Sequence, residues 1–317
     1  MKIKHIGEKN LIGNIKKKIT LYSNNVIAGI GDDAAVLKHD KKNYLIFTTD
    51  MLVEDVHFSL KYFTPEQIGM KAVEQNVSDI AAMGGIPKFA MISLALPKKT
   101  DIGFVDKLYN GINKKSRKYE ISIVGGNMSG SKKVIVNTAM IGFAEKKYLA
   151  LRSNAKKRDL IFCSGNAGAS AVGLGLLKQN KKGKSIKKHL EPQSRLDLAR
   201  RLVKIGINSM TDVSDGIASE VKNICNESKV GAIIHFDKIP VSKNTIKDSK
   251  KIKKNPIDFA LYGGEDFELI FTAPKNKLQK LRKYGTVIGE IVDKKRGITL
   301  IKNKKASKLW SGFEHFK

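Results

Sequence analysis

The stretch from Gly29 to His57, GIGDDAAVLKHDKKNYLIFTTDMLVEDVH, sets acidic residues beside glycines in a chain whose formal net charge is +29. Asp32 and Asp33 follow its glycine-rich turn, and the apolar run YLIF leads through two threonines to Asp50. Carboxylates and hydroxyls at the ends of strands suit a hard cation such as Mg²⁺, which prefers oxygen ligands. The stretch therefore predicts a site for a metal ion and a phosphate.

Length and composition indicate a folded protein of two domains or one large one. The 317 residues are 41% hydrophobic, which is typical of globular chains and allows a sizeable core. Apolar stretches such as Phe89–Leu96 are far shorter than the ~20 residues of a membrane-spanning helix, and the start of the chain has no signal-peptide pattern. Cys163 and Cys225 have no metal-ligand spacing. We therefore expect a cytoplasmic protein with free, buried thiols.

The basic excess comes from lysine. Only 8 of the 59 basic residues are arginine, whereas nucleic-acid sites favour arginine and stacking aromatics. The lysine runs Lys178–Lys188, Lys247–Lys254 and Lys302–Lys305 lie in polar segments with few aromatics. We interpret them as solvated loops that could also steer a nucleotide, and attraction of polyanions stays as the alternative.

A helix with clear boundary signals follows the opening stretch. The sequence TPEQ from Thr64 combines an N-cap, a proline in the first turn and a capping-box glutamine. The helix should end at Gly84. Asn76 and Asp79 share one side with apolar residues at helical spacing, which favours a helix edge that faces a polar site. A solvated flank is the alternative.

Both halves of the chain alternate strands with helices, which indicates α/β or α+β layers. In the first half we predict strands over 89–97, 121–124 and 134–143 and a helix over 103–119. In the second half we predict strands over 160–164, 231–236 and 267–272 and helices over 194–205 and 217–226, with another that opens in the glycine-rich segment 165–170. The boundary should fall near residues 145–149, which divides the chain into domains 1–147 and 148–317.

The common nucleotide-binding loops are absent from the sequence. Gly183-Lys184-Ser185 ends like a phosphate-binding loop, but Lys178 stands where the upstream glycine is required. What remains is a set of acidic motifs around Asp33, Asp50, Asp79, Asp212 and Asp215. Each alone is explained by a turn or a cap. Together they would suit several Mg²⁺ ions bridging phosphate oxygens, and helix N-termini at Ser214 and Gly168 would add N–H donors.

Seven motifs resemble those of thiamine-monophosphate kinases in order and spacing: GIGDDAAVL, TTDMLVEDVHF, NVSDIAAMGG, the GGN loop, LRSNAKKRD, TDVSDGI and YGGEDFEL. These enzymes belong to the aminoimidazole-ribonucleotide synthetase-like (PurM-like) superfamily, and the resemblance extends from about Gly29 to Phe316. It implies an N-terminal α/β domain that dimerises through its sheet, a C-terminal α+β domain, and ATP near the dimer interface. It also implies Mg²⁺-assisted transfer of a phosphoryl group from ATP to thiamine monophosphate, with no nucleic-acid or membrane partner.

The resemblance implies roles for individual residues. The positions that match Mg²⁺ ligands are Asp33, Thr48, Thr49, Asp50, Asp79, Asp212 and Asp215, with Asn127 where the family usually has aspartate. The positions that match ATP contacts are Tyr109, Gly126, Asn127, Arg152 and Ser214. Those that match contacts with thiamine monophosphate are His57, Glu265 and Phe313, with Trp310 as the alternative stacking aromatic. Catalysis would depend on Asp50, Asp79, Arg152 and Asp215, through positioning and charge neutralisation.

Asn127 departs from the family pattern. Its side-chain oxygen can still bind Mg²⁺, but one negative charge is lost, so we expect a weaker metal site and an active enzyme. Other members of the superfamily fit less well. A selenophosphate synthetase would carry a reactive cysteine near its N-terminus, whereas the first cysteine here is Cys163. A polyanion-binding protein is the non-enzymatic alternative.

Overall fold

The computed structural model describes residues 3–310 and 312–316. The first sheet of the described chain has the strand order β1-β2-β3-β6-β4-β5. Its strands are β1 (Val26–Ala28), β2 (Ala35–Lys38), β3 (Asn43–Val53), β4 (Ile86–Leu96), β5 (Ser122–Gly130) and β6 (Ile135–Glu145). The helices of this half are α1 (Glu8–Lys18), α2 (Pro65–Ala82) and α3 (Ile102–Tyr119). The β4–β5 pair is parallel because α3 returns the chain to the same end of the sheet, whereas the other pairs are antiparallel.

The second sheet has the order β13-β12-β9-β11-β7-β10-β8. Its strands are β7 (Leu160–Cys163), β8 (Ser209–Asp212), β9 (Gly231–His235), β10 (Leu269–Ala273), β11 (Thr286–Val292), β12 (Ile298–Lys302) and β13 (Lys305–Lys308). Its helices are α4 (Ala169–Lys178), α5 (Ile186–Leu190), α6 (Leu196–Ile205), α7 (Ile217–Ser228), α8 (Lys243–Lys251), α9 (Pro256–Tyr262) and α10 (Leu278–Leu281). The β9–β12 pair is parallel, and the other pairs in this sheet are antiparallel.

Helix α2 lies between the two halves. Its capping box is present, since the Thr64 hydroxyl accepts from the Gln67 N–H and the Gln67 side chain accepts from the Thr64 N–H. One side of the helix packs on β3, β4 and β6, and another contacts α6 and β8 of the second half. Because both sides are covered, even its polar residues Lys71, Glu74 and Asn76 are buried.

The structure confirms most elements predicted from the pattern, and it corrects two. The GGN segment is not a loop: it continues strand β5, where Gly126 pairs with Ile92 of β4. The lysine runs are not simply loops either, since much of Lys247–Lys254 lies in α8 and part of Lys178–Lys188 lies in α5. The domain boundary stays a prediction. In the part of the chain that the structure describes, no helix is long and apolar enough to cross a membrane.

Candidate active site

A cavity of about 1110 Å³ opens between the two halves. Seven of the residues singled out in the sequence line it, three from the first half and four from the second: Asp50, His57, Asp79, Ser214, Asp215, Glu265 and Phe313. Trp310 is 68% exposed and is not among the lining residues, whereas Phe313 is. The cavity therefore favours Phe313 over Trp310 as the aromatic side chain that faces a ligand.

Three carboxylates meet beside this cavity. Asp33, Asp79 and Asp212 each place an oxygen within 4.8 Å of the other two. Asp33 follows the glycine turn, Asp79 lies in the last turns of α2, and Asp212 ends β8. The Thr48 hydroxyl donates to Asp79 Oδ2 at 2.6 Å, and the Ser78 hydroxyl donates to Asp212 Oδ2 at 2.6 Å. The site thus depends on both halves of the chain.

Burial raises the pKa of every carboxyl in this cluster, and neighbouring carboxylates raise those of Asp79 and Asp212 further. The pKa of Asp79 lies well above its usual value, first because of burial and then because of Asp50, Asp212 and Asp33. The pKa of Asp212 is raised in the same way, and that of Asp50 is about 6. Such an arrangement favours either bound protons or a bound cation.

A divalent cation fits the cluster. Asp33 Oδ2 and Asp212 Oδ1 are buried and, among the described residues, have no hydrogen-bond partner. Buried carboxylate oxygens are normally paired, so two unpaired oxygens of this kind mark a place for a positive ligand. Oxygen donors of carboxylate type are those that Mg²⁺ prefers.

Arg152 supplies the positive charge nearest to Asp33. Its Nη2 lies 2.5 Å from Asp33 Oδ1 and 3.5 Å from Glu220 Oε2, and its Nε donates to the Thr211 hydroxyl at 3.1 Å. Burial opposes the charge, but Asp33, Glu220 and Asp32 raise the pKa of Arg152. The guanidinium therefore holds a cluster carboxylate in place, and the ATP contact implied for Arg152 stays a prediction.

Asp32 also takes part in this hydrogen-bond network. Its Oδ2 accepts from the Arg152 N–H at 3.0 Å, and its Oδ1 accepts from the Asp33 N–H at 3.1 Å. Burial and the neighbouring Asp33 raise the pKa of Asp32 to about 7. Asp32 thus fixes the turn from which Asp33 reaches the cluster.

A buried ion pair also lies beside the cavity. Lys71 Nζ lies 2.6 Å from Glu265 Oε1 and donates to the His57 carbonyl at 2.7 Å. Glu265 Oε2 lies 3.4 Å from His189 Nδ1. Burial opposes ionisation of Glu265, but Lys71 and His189 lower its pKa to about 2. Glu265 is therefore an ionised hydrogen-bond acceptor in the lining of the cavity.

His57 has a defined tautomer. The Val53 N–H donates to its Nδ1 at 3.0 Å, so neutral His57 carries its proton on Nε2. Burial lowers the pKa of His57, which favours this neutral form. His57 can thus donate from Nε2 into the cavity that it lines.

Two implied metal ligands lie on the other face of the first sheet. Side chains alternate along β3, so Thr48 and Asp50 point inward, whereas Thr49 is exposed and donates to Asn137 Oδ1 at 3.3 Å. Asn127 lies in β5, where it pairs with Ser93 of β4, and its side chain is exposed. Neither side chain is part of the aspartate cluster, so their metal-binding roles stay predictions.

Two implied ATP contacts lie in structural elements away from the cavity lining. A Cβ added at Gly126 would overlap the Ile92 carbonyl oxygen. The close approach of β4 therefore explains this glycine without a ligand. Tyr109 packs at the edge of the first core. Neither is among the residues that line the cavity.

The N-terminus of α4 does not offer the free donors expected at Gly168. Asp266 caps it from another segment of the chain, with Oδ2 2.5 Å from the Gly168 nitrogen and Oδ1 3.1 Å from the Ser170 nitrogen. A carboxylate already satisfies these N–H groups, so the expectation of a phosphate there is wrong. Ser214 is not the N-cap residue of α7, because that position is Gly216.

Comparisons with known proteins match both halves of the chain. The family described as AIR synthase related protein, N-terminal domain, matches residues 31–144, and its C-terminal domain counterpart matches residues 157–302. The thiamine-monophosphate kinase of Aquifex aeolicus (strain VF5) is 37% identical over 99% of this chain and 100% of its own length. That of Bacillus subtilis (strain 168) is 36% identical over 98% of this chain and 100% of its own.

The chain belongs to the thiamine-monophosphate kinase family.

Solved structures of this family have the same fold. AaThiL complexed with AMPPCP and TMP is 35% identical, covers 99% of both chains and has a TM-score of 0.86. A hydrogenase maturation protein HypE in complex with ATP is 19% identical over 87% of both chains with a TM-score of 0.72. At that identity HypE shares the fold alone. The two-domain aminoimidazole-ribonucleotide synthetase-like fold implied by the motifs is thus confirmed.

Sequence reasoning missed several polar residues of this kinase-family site. Four of them, Lys71, Ser78, His189 and Thr211, contact the cavity-lining or cluster carboxylates, and the fifth, Glu220, pairs with Arg152. One signal was available: Lys71, Glu74 and Ser78 fall on α2 between apolar residues, where a solvated helix would not place them. The others come from distant segments that only the fold brings together.

Proposed function

We propose that this protein transfers the γ-phosphoryl group of ATP to the phosphate of thiamine monophosphate, which gives thiamine diphosphate and ADP. One observation carries the proposal: a single cavity is lined by carboxylates suited to metal–phosphate chemistry and by an ionised glutamate and an aromatic ring. Full-length identity of 36–37% to thiamine-monophosphate kinases supports it. The solved relative AaThiL is described as complexed with AMPPCP and TMP, which agrees with ATP and thiamine monophosphate as the two substrates.

Mg²⁺ is the cofactor that the acidic end suits best. Asp33, Asp79 and Asp212 would hold it, with Asp50, Asp215 and the Thr48 hydroxyl as neighbouring oxygens. Bound Mg²⁺ neutralises phosphate charge and orients the transferred group. Arg152 keeps Asp33 turned toward the other two carboxylates. Ligand roles for Thr49 and Asn127 would require a separate ion, because both side chains lie on the other face of the first sheet.

Positioning accounts for the chemistry without a strong general base. The second pKa of a phosphate monoester is ~6, so the acceptor phosphate is largely ionised at neutral pH. His57 can donate from Nε2, and Glu265 can accept from a donor or face a cation. These contacts would place the acceptor's rings at one end of the cavity, so that its phosphate lies toward Asp50 and Asp79.

We propose a homodimer formed by the outward face of the first sheet. Large apolar side chains lie exposed on this face, at Phe47 and Met51 of β3 and at Phe89 and Met91 of β4. A contiguous apolar face of this kind is typical of an interaction surface. Thr49 and Asn127 share the face with them, which agrees with ATP near the dimer interface. The two free buried cysteines agree with a cytoplasmic location.

Thiamine diphosphate formation tests the proposed function. The protein is incubated with ATP, Mg²⁺ and thiamine monophosphate, and thiamine diphosphate is measured by chromatography. Thiamine as the acceptor and EDTA in place of Mg²⁺ are the controls, and we expect product from neither. Product formed directly from thiamine would indicate a different kinase. Salt-sensitive binding to random DNA that is tighter than binding to ATP would favour the polyanion alternative.

A further inference from the structure

Lys71 is a fully buried lysine at the back of the candidate active site. It lies in α2 and is 0% exposed. Its ammonium group contacts Glu265 Oε1 at 2.6 Å and the His57 carbonyl at 2.7 Å, and it lies 5.3 Å from the centre of the Phe63 ring. A buried ammonium is costly unless it is paired. Its two polar partners, Glu265 and His57, both line the cavity.

The turn that carries Glu265 is strained. Glu265 has φ 64° and Phe267 has φ 49°, although neither is a glycine. Such backbone conformations persist only where surrounding contacts hold them, and they concentrate at functional sites. Two backbone hydrogen bonds, from Glu265 N to Ser214 O and from Phe267 N to Val213 O, hold the turn. Lys71 fixes the side chain.

Lys71 joins segments from the two halves of the chain. Glu265 belongs to the second half of the chain, whereas His57 lies in the segment after β3 in the first half. The Lys71 ammonium group therefore sets the distance between Glu265 and His57, the two residues predicted to contact thiamine monophosphate. It also keeps Glu265 acceptor-only, because an adjacent positive charge favours the ionised carboxylate.

We propose that Lys71 is a positioning residue that holds Glu265 ionised and aimed at a ligand ring bearing a cation or an N–H donor. This inference rests on the proposed function. Thiamine monophosphate carries both groups, a thiazolium cation and an aminopyrimidine. Lys71 therefore sets the affinity for the acceptor and has little effect on ATP.

The substitution Lys71→Met tests the proposal. It keeps the length of the side chain and removes its charge, so that Glu265 loses its main counter-charge. We expect KM for thiamine monophosphate to rise about tenfold or more, as for the loss of a charged hydrogen bond, with kcat and KM for ATP changed less than about threefold. Calorimetric binding of thiamine monophosphate without ATP should weaken in parallel.

The pH dependence distinguishes positioning from a merely structural role. The charged and titratable groups that face Glu265 are Lys71, His189, His57, Tyr62 and Asp215. With Lys71 present, the pKa of Glu265 is about 2, so Glu265 stays ionised between pH 5 and 8. Without Lys71, burial raises this pKa, so acceptor affinity should fall as the pH decreases through that range. Dividing the affinity of the variant for thiamine monophosphate by that of the wild type at each pH removes the effect of titrating the acceptor phosphate.

Lys115→Met is the matched control. Lys115 is also buried and pairs with Glu74 at 2.5 Å, but Glu74, unlike Glu265, does not line the cavity. The Lys115→Met variant should be destabilised about as much as Lys71→Met, with no selective change in its affinity for thiamine monophosphate. In addition, Lys71→Met should have little effect in a Glu265→Gln background.

The outcomes separate the two proposals. Wild type that binds thiamine monophosphate without phosphorylating it would disprove the function alone. An unchanged acceptor affinity and pH profile in Lys71→Met would overturn the role of Lys71 alone. A wild type that neither binds nor phosphorylates it would overturn both.

Discussion

At the residue scale, the aspartate cluster concentrates negative charge that opposes folding. Three carboxylates lie within 4.8 Å of one another, and two of their oxygens are buried without a hydrogen-bond partner among the described residues. Like charges at this separation oppose folding unless protons or cations neutralise them. Arg152 neutralises Asp33. None of the contacts that the structure describes for Arg152 involves the carboxylates of Asp79 or Asp212. The cluster is therefore poised to bind a cation.

We expect Asp79→Asn to stabilise the metal-free protein and to inactivate it. Removing one carboxylate relieves repulsion with Asp50, Asp212 and Asp33, so the midpoint of thermal unfolding in EDTA should rise by a few degrees, about 1 kcal/mol. Turnover with Mg²⁺ should fall about 100-fold or more, because an oxygen ligand with its charge is lost. Thermal unfolding with EDTA and with Mg²⁺ gives the first quantity, and thiamine diphosphate formation gives the second.

Asp106→Asn is the control for this pair of measurements. Asp106 is exposed on α3, and neither quantity should change in it. A lower unfolding midpoint in EDTA for Asp79→Asn, together with unchanged dependence on Mg²⁺, would contradict the interpretation of the cluster as a cation site.

At the element scale, the sequence predicts those helix and strand features that depend on contacts between neighbouring residues. The capping box of α2 and the boundaries of α3 follow from neighbouring residues, and the structure confirms them within one or two positions. The second part of strand β5, residues 125–130, was not predictable in this way. Glycine has little intrinsic preference for strands, and residues 125–130 are held extended by pairing with β4, more than 30 residues earlier. The cap of α4 by Asp266 is likewise a contact between distant segments.

Gly126→Ala should break the β4–β5 pair. The added methyl group would overlap the Ile92 carbonyl oxygen, and a strand in the middle of a pairing register cannot move away without losing its hydrogen bonds. We expect a loss of more than about 2 kcal/mol in unfolding free energy and faster hydrogen exchange of the β5 amides. Urea unfolding and exchange mass spectrometry measure these effects.

Gly125→Ala provides the control one residue away. A Cβ at Gly125 would have nothing within 4 Å, so its unfolding free energy should stay within about 0.5 kcal/mol of wild type. Equal stability of the two variants would show that Gly126 is present for a ligand and not for strand packing.

At the scale of the whole molecule, the identity of the site residues was predictable and their arrangement was not. Motif order indicated Asp33, Asp79 and Asp212, but no spacing in the sequence places residue 33 beside residue 212. That contact requires α2 to be covered on two sides, by the first sheet and by β8. The same packing explains why Lys71 and Glu220 were missed, since each is functional only through a partner in a distant segment.

The sheet face opposite the cavity gives the last prediction. Met91 is 53% exposed on the outward face of β4, between neighbours on β6 and β5. If this face joins two copies of the chain, Met91→Glu buries two unpaired charges at the interface, which is strongly unfavourable. We expect the wild type to sediment as a dimer and Met91→Glu as a monomer at micromolar concentration, with turnover lost in parallel.

Ile102→Glu separates the interface from general surface hydrophobicity. Ile102 is 79% exposed at the start of α3, outside the sheet, so this variant should remain a dimer with wild-type turnover. A Met91→Glu protein that still sediments as a dimer would show that the first sheet is not the interface. An active Met91→Glu monomer would instead show that ATP binding needs one chain only, because Thr49 and Asn127 would then act without a partner's sheet beside them.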